Sequence, residues 1–392
     1  MLVYRLPTAR PDETLYSVCA RIRLSNTAGC DRDACRSLLG QSMSTHVDEF
    51  PVDLNHFCKV THEDYGVPLD IIKAHCLTPY FLTLERAIGK RNENKGSLQT
   101  IRFSLAQVSN GGSVHWRICP TCVAREKTQL GVAYWHRQHQ LPGSLMCALD
   151  ETFLYECEIP ALVRHNRFLL PDEVKTHKPP NWNTFNECRE ILSGLAHLNS
   201  SILVDRSIER DLDIARSTIW GALADRGLLS QQGKIDRKYF LQDLLQRYEP
   251  LEVLNCFSHD LSVSVLNRLI SQLSNNSITS PTQQLLLLFH LFGSWESYQS
   301  KYQWQLAFSE ANASSSRQLE SPSVTEQHRK RCIEIREQFP TISRTGLARA
   351  SGRSFRWLLQ NDSAWLDKNF IRYQRGSNAT PHKQLALEIR EK

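Results

Sequence analysis

The most informative stretch of this sequence begins with Cys119-Pro120-Thr121-Cys122 and ends with Cys147-Ala148-Leu149-Asp150. The first pair has the Cys-x2-Cys spacing of a zinc knuckle, in which a tight turn presents both thiolates to one ion. Cys147 follows after 24 intervening residues, and Asp150 stands three positions later. The spacing predicts a four-ligand zinc site made by Cys119, Cys122, Cys147 and Asp150.

Asp150 is the unusual member of this set, because structural zinc sites prefer Cys and His, whereas carboxylates are commoner at catalytic metals. The alternatives to it are His139, His136, His115 and Cys157. Buried thiols without a metal are the simpler interpretation, since free cysteine often packs as a small core residue. The turn at Pro120 and the second ligand pair favour the metal. Zinc here would hold the fold together rather than catalyse a reaction.

Composition predicts an ordinary globular protein. The chain has 392 residues, of which 41% are hydrophobic and 22% are charged, and this length predicts two or three domains. The nine cysteines outside the knuckle show no regular framework spacing, and the N-terminus has no long apolar segment. The longest apolar run, residues 285–292, is far too short to span a membrane. We therefore expect a soluble, cytoplasmic protein with reduced thiols.

Positive charge is concentrated near the C-terminus. The net charge is +6, and residues 329–375 contain eleven Lys or Arg and four Asp or Glu, so this segment carries +7 and the rest of the chain about −1. A basic segment on a neutral body is typical of a nucleic-acid contact. A solvated helix face is the alternative interpretation.

Apolar periodicity predicts a mainly helical protein. Leu15, Val18, Cys19 and Ile22 share one helical face, and Asp12 is the predicted N-cap. Further helices are predicted over residues 32–39, 54–60 and 68–73, with a loop over residues 92–112. The knuckle follows this helical N-terminal domain.

The second half of the chain also has the pattern of helices. Residues 160–200 are polar and rich in Pro and Asn, which is typical of a connector between domains. A helix, a short extended segment and a second helix are predicted over residues 208–229, 233–235 and 237–248. This order suits either a helix-turn-helix-like element or an ordinary helical hairpin. Residues 281–293 predict a buried helix that ends at glycine, with His290 as a core histidine.

The basic segment contains a second candidate for two crossing helices. Ser343 is a predicted N-cap, Gly352 lies in the turn, and the second helix is predicted over residues 354–361. In a helix-turn-helix the second helix contacts the nucleic acid. The predicted nucleic-acid contacts are Arg344, Arg349, Arg353, Arg356, Gln360 and Asn361.

Together these features predict a mainly α, multi-domain helical protein with a zinc-finger-like region and a C-terminal helix-turn-helix-like unit. The predicted segments are a helical N-terminal domain (1–112), a zinc-knuckle region (113–160), a helical domain (161–310), a Ser-rich linker (311–327) and a basic helix-turn-helix-like module (328–392).

Several motifs resemble the TniQ/TnsD family of transposon target-selection proteins. They are P-D-E-T-L-Y-S-V-C-A-R-I from residue 11, C-P-T-C-V from residue 119, Y-W-H-R-Q-H-Q-L-P-G from residue 134, S-R-T-G-L from residue 343 and W-L-L-Q-N-D-S-A-W-L from residue 357. In the family the last zinc ligand is usually His, where this chain has Asp150. The aromatic and His side chains of residues 134–143 are expected to pack as core beside the metal.

The resemblance implies a function in transposition. Family members bring a TnsC-type ATPase regulator and the transposase to a marked target on DNA. The length of the chain is closer to compact TniQ proteins, which act as homodimers on a guide-RNA complex (Cascade), than to long TnsD-type proteins, which read a fixed DNA site. We expect the first arrangement, with direct reading by residues 341–361 as the alternative. A transcription regulator has only the basic segment in its favour.

No catalytic motif supports an enzyme. The sequence contains no G-x4-G-K-[ST], no H-E-x-x-H and no G-x-S-x-G. A zinc nucleobase deaminase shares the Cys-x2-Cys pair but also requires an H-x-E, in which the Glu transfers protons. No H-x-E occurs in the chain, so we expect a non-catalytic protein.

Overall fold

The computed structural model describes residues 5–26, 30–40, 54–89, 115–160, 167–178, 186–205, 210–248, 263–275, 277–278, 280–318, 324–340 and 342–370. The chain divides into two compact units, residues 1–309 and 310–392. The predicted class is confirmed, because most of the described residues are helical. In these ranges no helix is both long and apolar enough to cross a membrane.

The first unit opens with five helices: α1 (Leu15–Ser25), α2 (Asp31–Leu39), α3 (Leu54–Val60), α4 (Pro68–His75) and α5 (Thr78–Ala87). The N-cap of α1 is Thr14, whose side-chain oxygen accepts a hydrogen bond from the Ser17 amide. The predicted cap, Asp12, was therefore wrong. Asp12 has a φ of 59° and lies in a turn before the helix, where its carboxylate accepts a hydrogen bond from the Gln138 amide. The predicted loop over residues 92–112 lies outside the described residues.

A three-stranded antiparallel sheet follows, made of β1 (His115–Ile118), β2 (Tyr155–Pro160) and β3 (Thr176–His177). Between β1 and β2 lie α6 (Pro120–Leu130) and the short α7 (Arg137–Gln140). β1 and β2 pair with Ile118 opposite Tyr155. This pairing places Cys119, the next residue after β1, beside the chain that leads into β2. The sheet therefore brings the two halves of the predicted zinc site together.

The first unit continues with α8 (Arg189–Val204), α9 (Leu212–Asp225), α10 (Arg237–Arg247), α11 (Val263–Ser274) and α12 (Pro281–Phe292). It also contains most of α13 (Trp295–Gln318), whose residues from 310 onward belong to the second unit. α8 corrects the prediction of a connector over residues 160–200. Its Leu192, Leu195 and Leu198 are buried, and their spacing gives the helix an apolar stripe despite the polar residues before it.

Two hydrophobic cores organise this unit. One contains side chains of α1 to α4 together with Trp116, Trp135 and Phe168. The other contains side chains of α5 and α8 to α12. α12 is buried along its length and ends at Gly293, as predicted. His290 is also a core histidine as expected, 1% exposed with its Nε2 2.7 Å from the Asp243 carboxylate.

α9 and α10 are joined by a short hairpin, in which Leu229 and Ile235 form an isolated antiparallel bridge. The predicted extended segment and second helix are therefore present. The first helix is shorter than predicted, because Asp211 caps it at residue 212 by accepting hydrogen bonds from the Asp213 and Ile214 amides.

The second unit contains α14 (Val324–Gln338), α15 (Arg344–Ser351), α16 (Arg353–Asn361) and α17 (Ser363–Asn369). Its core contains Cys332, Ile335, Leu347, Phe355, Leu358, Leu366 and Phe370. Much of the predicted linker, residues 311–327, is not extended chain, because residues 311–318 continue α13 and α14 begins at Val324. Extending an existing helix adds one hydrogen bond per residue fixed, so a Ser-rich sequence after it can stay helical.

Candidate metal centre and basic surface

The first half of the metal centre is a turn from β1 into α6. Cys119 is the N-cap of α6, and its Sγ accepts a hydrogen bond from the Cys122 amide at 3.4 Å. Pro120 occupies the first helical position, where its fixed φ suits the helix and its missing N–H costs nothing. The turn therefore directs the buried sulfurs of Cys119 and Cys122 to the same side.

The second half is a tight turn between Met146 and Phe153, which form an antiparallel bridge. Within it the Cys147 amide donates to the Thr152 carbonyl at 2.8 Å, and the Glu151 amide donates to the Cys147 carbonyl at 2.9 Å. These bonds close the turn and place Asp150 beside the cysteines.

The four predicted ligands converge on one point, with their ligand atoms all within 4.8 Å of one another. The sulfurs of Cys122 and Cys147 are 3.8 Å apart, and Oδ2 of Asp150 lies 3.6 Å from the sulfur of Cys119 and 3.8 Å from that of Cys147. In a tetrahedral site with metal–sulfur bonds of about 2.3 Å, two sulfurs lie about 3.8 Å apart and a sulfur and an oxygen about 3.5 Å apart. Only the 3.0 Å distance from Cys122 to Asp150 is shorter. The arrangement thus suits a tetrahedral metal ion.

The electrostatics of the cluster also favour a cation. The pKa of the Cys147 thiol is raised to about 12, chiefly by its interaction with Cys119 and further by burial. Three thiolates and a carboxylate cannot share this volume without a positive charge among them. A bound divalent ion would reverse that balance, because a coordinating thiol loses its proton.

Arg125 supplies part of the positive charge from outside the four ligands. Its guanidinium donates to Oδ1 of Asp150 at 2.5 Å and to the sulfur of Cys122 at 3.1 Å. The first bond occupies one carboxylate oxygen and leaves Oδ2 directed at the cysteines. Arg125 lies one turn after Cys122 on α6, so the helix that carries a ligand also orients Asp150.

The alternative fourth ligands lie outside the group formed by Cys119, Cys122, Cys147 and Asp150. His139 is buried with its Nε2 3.4 Å from the sulfur of Cys147, so it contacts the cluster from outside. Cys157 belongs to the core of the N-terminal helices. His115 lies in β1, before the turn.

His136 forms a second group with Cys122 and Glu126, but its charge opposes a role as a ligand. Burial lowers the pKa of His136, yet hydrogen bonds to Asp12 and Glu126 outweigh that effect and raise it to about 9. The Glu126 contact is 2.5 Å. A protonated imidazole has no free lone pair for a metal, so this group is an internal ion pair of the core, as expected for the aromatic and His block.

The predicted helix pair in the second unit is present, and α16 begins at Arg353, one residue before its predicted start. The Ser343 hydroxyl accepts a hydrogen bond from the Gly346 amide at 3.1 Å and begins α15. Gly352 separates α15 from α16 with a φ of 50° and a ψ of −103°, a conformation that suits glycine. The identification of this pair as a nucleic-acid-binding helix-turn-helix remains a prediction.

The predicted contacts divide into two groups. Arg344 is directed inward, where it pairs with Asp367 at 2.7 Å and donates to the carbonyls of Leu366 and Phe370. The exposed residues are Arg349, Arg353, Arg356, Gln360 and Asn361. Of these, Arg353, Arg356 and Gln360 follow at helical spacing on one face of α16. In the part of the chain that the structure describes, none of the three exposed arginines has an acidic partner.

The family model for TniQ matches residues 5–154. Residues 5–154 form a TniQ domain. The match contains the whole metal centre and the five helices before it. A search of the curated proteins finds no match to the chain. The TniQ domain is the domain of transposition target-selection proteins.

The four predicted ligands could be named from the sequence, but two of their neighbours, Arg125 and Thr152, could not. Arg125 follows Cys122 by three positions, a spacing that places the two side chains on one face only if the segment is a helix, and no helix was predicted there. The hydroxyl of Thr152 lies 2.9 Å from the sulfur of Cys119. This contact could not be predicted from the sequence, because it depends on how the second turn closes.

Proposed function

We propose that this TniQ-domain protein is a non-catalytic adaptor that selects the target of a Tn7-like transposon. It docks on a guide-RNA complex (Cascade) and recruits a TnsC-type ATPase and the transposase to target DNA. The observation that carries the proposal is the TniQ match, which encloses the complete metal centre. We expect it to act in the cytoplasm as a homodimer.

The cofactor that we propose is zinc, held by Cys119, Cys122, Cys147 and Asp150. Three thiolates and one carboxylate at tetrahedral distances suit its preference for sulfur ligands. All four coordinating positions are filled by the protein, which is the mark of a structural rather than a catalytic site. Zinc would fix two turns that have few apolar contacts of their own.

The second unit provides the proposed nucleic-acid contact. Arg349, Arg353 and Arg356 are exposed on α15 and α16, and Gln360 and Asn361 follow on α16. Cationic side chains bind phosphates and give an affinity that falls steeply with salt. Gln360 adds an amide that can pair with a base edge. This face also supports the alternative function, a TnsD-type protein that reads a DNA site directly.

Affinity purification of the tagged full chain from its native cells tests the proposal. Co-purification of guide RNA with Cascade subunits would support the adaptor. Recovery of one chromosomal DNA site without RNA would support the direct reader, and recovery of neither would contradict both.

A variant with Arg353→Ala and Arg356→Ala distinguishes the two candidate functions in the same experiment. If the protein is an adaptor, the variant should still recover guide RNA, because sequence recognition lies in the RNA. If it reads DNA directly, the variant should lose the chromosomal site. A tag-only sample controls for background.

A further inference from the structure

A positively charged surface lies on the first unit, far along the chain from the basic C-terminal segment. We define the hairpin surface as Lys234, Arg237, Lys238 and Tyr239, which are all exposed, Tyr239 by 64%. Residues 1–309 contain 32 basic and 32 acidic side chains, so this unit has no net charge. Residues 226–248 nevertheless contain five basic and two acidic residues. The positive charge is therefore local.

The fold holds the backbone of these residues in place. The hairpin before α10 is closed by hydrogen bonds from the Ser230 amide to the Lys234 carbonyl at 2.7 Å and from the Asp236 amide to the Leu228 carbonyl at 2.9 Å. Leu228 is buried in the core, and Leu229 and Ile235 pack against it. A backbone held in place in this way loses little conformational entropy of its own when the surface binds a ligand.

The acidic residues near the hairpin surface are already engaged. Asp243 accepts hydrogen bonds from Arg226 and His290, and Oδ1 of Asp236 caps the Tyr239 amide at 3.2 Å. Within the described residues, Lys234, Arg237 and Lys238 have no acidic partner at ion-pair distance. Arg237 and Lys238 also lie in the first turn of α10, which contains no acidic residue. Cations are unfavourable there, because the helix dipole is positive at that end.

Three cations without an acidic partner among the described residues and an exposed aromatic ring suit one class of ligand. Proteins that bind single-stranded nucleic acid combine basic side chains along the phosphates with aromatic rings on which bases stack. We infer that the hairpin surface binds single-stranded nucleic acid, with Lys234, Arg237 and Lys238 on the phosphates and Tyr239 against a base. The inference goes beyond the proposed contact in the second unit and does not depend on it.

The test measures binding of labelled single-stranded DNA and RNA of one sequence to the full chain by fluorescence anisotropy over a range of salt. The variant carries Lys234→Ala, Arg237→Ala and Lys238→Ala. A matched control removes three exposed cations elsewhere in the unit, with Lys59→Ala, Lys73→Ala and Arg268→Ala. Both have the same net charge. Unchanged melting temperatures would show that both fold.

We expect the hairpin variant to bind about tenfold more weakly at low salt, and its slope of log affinity against log salt to fall by about 2, because about 0.7 of a counterion is released per phosphate on a single strand. The control should keep the wild-type slope. A loss with DNA assigns the surface to DNA, and a loss with RNA assigns it to RNA. Equal slopes for the hairpin variant and the control would overturn the inference.

Two further measurements isolate the contact. Tyr239→Ala should weaken single-strand binding about tenfold, whereas Tyr239→Phe, which keeps the ring, should not. Wild-type affinity in Tyr239→Ala would overturn the assignment to single strands. The hairpin variant is also made in a chain with Arg353→Ala and Arg356→Ala. A further loss there shows that the hairpin surface binds whether or not the C-terminal contact does.

Discussion

Asp150 is unusual as the proposed fourth ligand, and its contact with Arg125 explains how the proposed site would accept it. A centre with three thiolates, one carboxylate and a divalent ion carries a net charge of −2. Arg125 reduces that charge and holds the carboxylate through Oδ1 at 2.5 Å. The Arg125–Asp150 pair is therefore part of the metal centre, in the way that outer partners orient ligands at other metal sites.

Arg125→Gln should weaken metal binding about 10- to 100-fold, the usual effect of losing an outer partner. Competition with a chromogenic chelator measures this affinity. Lys127→Gln is the matched control, because Lys127 lies on the same helix but pairs with Asp172 at 3.3 Å, outside the cluster. Equal affinities of the two variants would show that Arg125 does not orient the ligand.

Cys119→Ser should lose the metal and unfold at a much lower temperature, because Cys119 is both a ligand and the cap of α6. We expect metal affinity to fall by more than about 100-fold, beyond the effect of an outer partner. Metal content by mass spectrometry and thermal melting measure the two effects. Cys30→Ser, at the exposed cysteine, should match the wild type. An unaltered melting temperature in Cys119→Ser would contradict a structural metal.

His290 predicts a pH dependence of stability in the first unit. Burial lowers its pKa from 6.5 to about 4, and the hydrogen bond to Asp243 offsets this only in part. Between these values the unfolded chain binds a proton that the folded chain does not, so stability falls as pH falls below about 6.5. By pH 5 the loss is about 2 kcal/mol. The pKa of Asp243 is lowered, since its bonds to Arg226 and His290 outweigh its burial, so it titrates below this range.

Urea unfolding of the wild type and of His290→Gln at pH 7 and pH 5 measures this effect. The variant cannot titrate at this position, so its stability should change less between the two pH values. Parallel behaviour of the two proteins would show that His290 is not responsible.

At the scale of elements, Gly352 sets the geometry between α15 and α16. Its φ of 50° and ψ of −103° lie where an L-residue is strained, although space for a Cβ is open. Gly352→Ala should therefore destabilise the helix pair by about 1–3 kcal/mol through the backbone alone. Hydrogen exchange of the amides of residues 344–361 measures the loss. Gly131→Ala, at an αL helix end with equally open space in the first unit, should leave those amides protected.

The same elements show what the sequence could predict. The boundaries of α15 and α16 were predictable, because Ser343 and Gly352 act on their immediate neighbours. β1 and β3 were not, because they have four and two residues, too few for an alternating pattern. β2 could have been predicted, because apolar and polar residues alternate from Tyr155 to Ile159. The inward position of Arg344 could not be predicted from the sequence either. Its partner Asp367 belongs to α17, and such contacts depend on tertiary packing.

In the molecule as a whole, the two units differ in net charge. The first is neutral, with 32 residues of each sign, so the net charge of +6 comes from the second. Some of that charge is structural: Arg329 pairs with Asp362 at 2.6 Å, Arg336 donates to the Asn369 carbonyl, and Arg344 pairs with Asp367. The net charge therefore overstates what is free to bind phosphates. Arg349, Arg353 and Arg356 of α15 and α16 are among the exposed cations of this unit.

This distinction yields a prediction for the full chain. Arg353→Ala with Arg356→Ala removes two exposed cations from one face of α16, whereas Lys330→Ala with Lys368→Ala removes two exposed cations from α14 and α17. If α16 contacts DNA phosphates, the first pair should lower the slope of log affinity against log salt by about 1.8, and the second should leave it near the wild-type value. Fluorescence anisotropy with duplex DNA measures both. Equal reductions would mean that charge acts at a distance rather than through contact, and no reduction would remove α16 from the interface.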